Sequence, residues 1–129
     1  MPRVLVVDGS HLMVWLVQTL VPDGVEVVQA RRFVDAQALL TSDPPDAAIF
    51  NLTPPTLEWS RLIALCCERT PQIPYLLCTT LDGELPAELQ LPSPPLAVVR
   101  KPARISDLRA TLTDLLREVR AATGGGAPG

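Results

Sequence analysis

Short apolar runs and longer amphipathic stretches alternate along the chain. Arg3 to Asp8 is a run of apolar residues ending in an acid, the pattern of a strand buried on both faces of a parallel sheet. Leu12, Met13, Leu16, Val17 and Leu20 then recur at helical spacing, and Ser10 stands where it can cap that helix. The turn Pro22-Asp23-Gly24 leads into a second strand, Val25 to Ala30, and a helix follows over about Phe33 to Leu40 with Ala36, Leu39 and Leu40 inward. Pro44 and Pro45 precede a third strand, Asp46 to Asn51. Beyond the Thr53-Pro54-Pro55 loop, Trp59, Leu62, Ile63, Cys66 and Cys67 mark a helix over about Leu57 to Thr70.

Ile73 to Thr79 and Leu96 to Arg100 read as the fourth and fifth strands. Between them Pro86, Pro92, Pro94 and Pro95 leave room only for a short helix around Ala87 to Leu91, so a shortened or irregular fourth helix is expected. Ile105 to Ala121 is amphipathic, with Ile105, Leu108, Leu112, Leu115, Leu116 and Val119 on one face. Residues 1–122 are expected to form one domain and 123–129 a flexible glycine-rich tail. Five strands alternating with helices imply an α/β fold with a doubly wound, five-stranded parallel sheet. Such folds place function at the carboxyl ends of the strands, which directs attention to Asp8, Gly9, Asn51, Thr79, Thr80, Arg100 and Lys101.

These residues carry a resemblance. Val4-Leu5-Val6-Val7-Asp8-Gly9-Ser10 resembles the opening of a bacterial response-regulator receiver domain, in which a hydrophobic strand ends in two consecutive acids. Asp46-Ala47-Ala48-Ile49-Phe50-Asn51, with Pro55 four positions on, resembles the strand that carries the phosphoacceptor Asp. Ile73-Pro74-Tyr75-Leu76-Leu77-Cys78-Thr79-Thr80 resembles the strand ending in Thr-Ala, and Arg100-Lys101-Pro102 resembles the Lys-Pro after the fifth strand. The four landmarks occur in the receiver order and span Arg3 to Ala121. The resemblance implies the five-stranded, flavodoxin-like receiver fold, a role in two-component signal transduction, and a cis bond between Lys101 and Pro102.

The same resemblance identifies what has changed. In receivers the opening acids and the phosphoacceptor hold magnesium, the Asp attacks a phosphoryl donor, and the Thr and Lys grip the phosphoryl oxygens. Here Asp8, Thr79 and Lys101 match, but Gly9 replaces the second acid and Asn51 the nucleophile. An amide has no carboxylate lone pair to attack with, so Asn51 is not expected to be phosphorylated. Each missing carboxylate removes roughly 4 kcal/mol of attraction to a unit charge at 4 Å and an effective dielectric of about 20. At most a residual weak metal site of Asp8 and Asn51 would remain, and no metal or other cofactor is expected. Val98, three positions before Lys101, replaces the aromatic side chain that receivers use as a rotamer switch.

Composition narrows the picture further. The 129-residue chain is 47% hydrophobic and 19% charged with a net charge of −3, which suits a folded domain and gives no footprint for nucleic acid or an anionic membrane. Asp8, His11 and Gln18 break the apolar run that superficially resembles a signal peptide, and no stretch approaches the roughly 20 apolar residues of a span. A cytoplasmic location is therefore expected. Cys66, Cys67 and Cys78 lack metal-ligand spacing and read as reduced core thiols; His11 lacks companions for a triad. Val14 and Trp15 fall opposite the inward set of the first helix, and this apolar pair is the candidate interaction surface.

The expectation is a non-enzymatic, non-phosphorylatable receiver-like module acting through protein–protein contacts, with signalling proteins, an attached output domain, or a second copy of the chain at the first helix as partners. The competing reading is a flavodoxin-like cofactor-binding protein or enzyme on the same fold. Against it, Asp8-Gly9-Ser10 has no run of glycines or hydroxyls to cradle a phosphate.

Overall fold

A computed structural model describes residues 2–9, 11–52, 57–69, 72–79, 93–100 and 104–124. The described elements run β1 (Arg3–Val7), α1 (His11–Leu20), β2 (Glu26–Ala30), α2 (Phe33–Ser42), β3 (Ala47–Leu52), α3 (Leu57–Glu68), β4 (Tyr75–Thr79), β5 (Ala97–Arg100) and α4 (Ile105–Gly124). The strands form one parallel sheet in the order β2-β1-β3-β4-β5, so the chain winds outward from β1 in both directions. This is the doubly wound α/β architecture expected from the alternation of elements. Residues 80–92, where the irregular helix is expected, and Lys101-Pro102 lie outside the described residues, as do Ser10 and Thr53-Pro54-Pro55.

Alternation along each strand divides the core in two. Leu5, Val7, Ala48, Phe50, Tyr75 and Leu77 face α2 and α3, meeting Ala36, Leu40, Leu62, Ile63 and Cys66. Val4, Val6, Ala47, Ile49, Leu76 and Cys78 face α1 and α4, meeting Met13, Val17, Leu108, Leu112 and Leu115. Both faces are covered, which is why β1, β3 and β4 read as unbroken apolar runs. Phe50 and Tyr75 pack edge to face with centroids 6.0 Å apart.

Local chemistry fixes the connections. Gly24 adopts φ 91° in the turn between α1 and β2, a left-handed conformation that side chains resist. Asp43 closes α2 through its N–H to the Leu39 carbonyl, and the guanidinium of Arg69 donates to the last-turn carbonyls of Leu40 and Thr41 at 2.5 and 2.8 Å. At the amino end of the sheet the Arg3 backbone N–H donates to Asp46 and its side chain pairs with Asp43 at 2.8 Å. Asp43 and Glu26 hold the Arg3 guanidinium above its ordinary pKa, the hydrogen bond to Asp43 contributing most.

Three expectations about helix faces need correction. Leu12 is 64% exposed rather than inward. Met13 and Val17 define the buried direction of α1, and at 100° per residue Leu12 lies about 120° from it. Val14 is half-buried against the α1 side of the core rather than outward, because its angle is only about 80° from that direction. Ile105 has the right angle but is 58% exposed, being the first residue of a 20-residue helix that outruns strands of four to six residues. Cys66 and Cys78 are buried as expected, while Cys67 is half-buried. Burial pushes the Cys66 thiol up to about 12, which keeps it protonated and unreactive near neutrality.

Candidate functional site

The strand register gathers the residues singled out in the sequence. Val7 pairs with Phe50, so Asp8 and Asn51 stand one residue further along on adjacent strands. Asn51 pairs in turn with Cys78, and Leu52 with Thr79, which pairs with Arg100. The structure therefore brings Asp8, Asn51 and Thr79 to the carboxyl edge of three neighbouring strands. Asp8 is 8% exposed, Thr79 is fully buried and Asn51 half-buried, and none of the three is without a partner. Lys101 lies outside the described residues. Val98 is half-buried against the α2 and α3 side of the core.

Gly9 opens a gap beside this edge. Its φ is not in the left-handed region, and an added Cβ would meet only the Arg31 carbonyl, at 3.9 Å. The backbone would thus accept a side chain at this position; the glycine is a chemical difference rather than a steric necessity. Next to Gly9 is an open pocket of about 570 Å³ lined also by Gln29, Arg31, Arg32 and Asp35.

The turn after β1 is held from the end of β2. The Asp8 N–H donates to the Ala30 carbonyl at 3.1 Å, extending the β1–β2 ladder by one residue. Gln29 Nε2 donates to the Asp8 carbonyl at 2.9 Å, and Arg31 Nη2 donates to the Gly9 carbonyl at 3.3 Å. Arg32 pairs with Asp35 at 3.2 Å on the first turn of α2. Gln29 and Arg31 were not singled out in the sequence, which assigned chemistry to the ends of β1, β3, β4 and β5. The signal for them is positional: they flank Ala30 where β2 ends, and β2 is the neighbour of β1.

This donor set does not fit magnesium. A hard dication needs several anionic or strongly dipolar oxygens around it. The described part of this corner instead combines one carboxylate, one amide, a residue with no side chain and a guanidinium. Among the described residues no three His, Cys, Asp or Glu side chains converge on a point.

On the outside of α1, Trp15 is 59% exposed and lies diametrically opposite the buried direction set by Met13 and Val17. Leu12, one turn before it, widens this apolar surface beyond the pair expected from the sequence. Of that pair Trp15 is outward, while Val14 packs against the core. No helix among the described residues is long and apolar enough to cross a membrane.

No family model and no curated protein matches the chain. Solved structures do. A response-regulator receiver domain protein from Methanospirillum hungatei is similar with a TM-score of 0.74 at 20% identity, over 93% of this chain and 97% of that one. A response regulator from Thermotoga maritima is similar with a TM-score of 0.74 at 21% identity, over 91% and 98%. The signal receiver domain of an HD domain-containing protein from Pseudomonas fluorescens reaches 0.70 at 23% identity, over 93% and 98%. The five-stranded parallel sheet, its strand order and its flanking helices are thus those of the receiver fold.

Proposed function

We propose that this chain is a receiver-fold signalling module that does not accept phosphate and acts through protein–protein contacts. The observation that carries this reading is Asn51, standing at the end of β3 beside Asp8, where the resemblance implies a phosphoacceptor carboxylate. A neutral amide neither attacks a phosphoryl donor nor supplies charge to a metal. Gly9 and Val98 point the same way, since the second acid and the aromatic switch are replaced together.

A module of this kind presents one fixed conformation. Its partners are signalling proteins, an output domain on the same chain, or a second copy, and the surface that best suits them is the outer face of α1 around Trp15 and Leu12. The Pseudomonas fluorescens neighbour is the receiver domain of a larger HD domain-containing protein, which supports the output-domain arrangement as one form of this function. The test is conformational. Amide chemical shifts of the protein with acetyl phosphate and magnesium should match those without them; shifts spreading from Asn51 into β4 and β5 would overturn the reading.

A further inference from the structure

The corner vacated by the second acid is not simply depleted of negative charge. We infer that Arg31 acts there as a resident cation, so that the site rejects magnesium through a built-in positive charge as well as through its missing carboxylates. The inference rests on the proposed loss of phosphorylation chemistry but makes a separate claim, because it concerns the charge of Arg31, just after β2, and not the missing nucleophile.

Three contacts define the arrangement. The Asp8 N–H bonds to the Ala30 carbonyl, which continues the ladder and fixes β1 against β2 at this edge. Gln29 Nε2 holds the Asp8 carbonyl at 2.9 Å. Arg31 Nη2 reaches the next carbonyl, that of Gly9, at 3.3 Å, which holds its guanidinium against the backbone of the residue that replaces the second acid. The opening beside Gly9 leaves room for this reach. Both of these side chains donate to the turn, whereas a magnesium site would need acceptors converging on an ion.

A carboxylate restored at position 9 would start from a Cβ 3.9 Å from the Arg31 carbonyl, on the residue whose own carbonyl the Arg31 guanidinium already contacts. The guanidinium carries five donors in a fork that matches a carboxylate in two-toothed pairing. Such a carboxylate is drawn into a pair with Arg31 instead of facing outward as a metal ligand. Like-charge repulsion between Arg31 and an incoming dication acts in the same direction. Restoring the two acids alone therefore leaves a site still biased against the metal.

The experiment compares magnesium affinity by isothermal titration in two proteins, Gly9→Asp/Asn51→Asp and the same protein carrying Arg31→Ala. Removing Arg31 should tighten magnesium binding by about tenfold. A change of less than about threefold, or no binding in either protein, would overturn the inference. Arg31→Gln, which keeps the hydrogen-bonding reach without the charge, is measured alongside with thermal melts. Gln should behave as Ala does; if it behaves as Arg does, the charge is not the cause. In the unsubstituted background Arg31→Ala should not confer magnesium binding, because Gly9 and Asn51 remain. Failure of the inference thus leaves the absence of phosphorylation separately testable.

Discussion

Helices α1 and α4 cover the same face of the sheet, yet they treat solvent differently. The inner side of α4 buries Leu108, Leu112, Leu115 and Val119, and its outer side alternates signs, with Asp114 and Arg117 paired at 3.4 Å. The inner side of α1 buries Met13 and Val17 in the same cluster, but none of its ten residues is an acid, Lys or Arg, and its outer side shows Leu12 and Trp15. Both meet the core requirement, α4 with more buried side chains than α1. What differs is the side that folding leaves free: α4 uses it for solvation, while α1 carries exposed apolar area that folding does not require. An uncharged, apolar helix face suits an isologous contact, in which each residue near the symmetry axis meets its own copy.

The largest effect that sharpens this contrast belongs to the shared core. Leu115→Ala empties a fully buried position and should cost about 2–5 kcal/mol in chemical denaturation. A loss below about 1 kcal/mol would show that α4 does not anchor this face. Trp15→Glu should behave in the opposite way. Its stability should stay within about 0.5 kcal/mol of the parent, while self-association measured by sedimentation velocity weakens by at least about tenfold, since covering a large apolar side chain contributes roughly 1.5–3 kcal/mol. A marked fall in melting temperature would place Trp15 in the core; unchanged self-association would remove α1 as a contact between copies of the chain.

Much of this was legible in the sequence where burial is symmetric. β1, β3 and β4 are covered on both sides, so Val4 to Val7, Ala47 to Phe50 and Tyr75 to Cys78 spell strands without ambiguity. Helix α3 was equally clear, because Leu62, Ile63 and Cys66 hold helical spacing and are all buried. The errors arose where periodicity alone had to choose a face. In α1, apolar residues stand at Leu12, Met13, Val14, Trp15, Leu16 and Val17 in succession, so the pattern does not specify which of them face the sheet. Met13 and Val17 take that direction, which leaves Leu12 exposed and Val14 at the margin. For Ile105 the angle was right, but a sequence carries no measure of how far a helix outruns its sheet.

The site was legible in part for a related reason. Asp8, Asn51 and Thr79 could be named because they end strands whose order along the chain resembles a known pattern, and the register then brings them together. Gln29 and Arg31 were invisible because their role depends on β2 lying beside β1. That adjacency is a property of strand order, and the side-chain contacts made across it are displayed only by the folded sheet. Exposed arginines are also common on surfaces, so residue type adds nothing to that position until the Arg31 guanidinium is seen at the Gly9 carbonyl.

The central claim is that the carboxyl edge of this sheet no longer carries a phosphoryl group. Intact mass is its most direct test, with the protein incubated with acetyl phosphate and magnesium in parallel with Gly9→Asp/Asn51→Asp. The unsubstituted protein should keep its mass under every condition, because Asn51 offers no nucleophilic carboxylate. A gain of one phosphoryl group in the unsubstituted protein, mapped to a peptide containing Asn51 or to any other residue at this edge, would contradict the account.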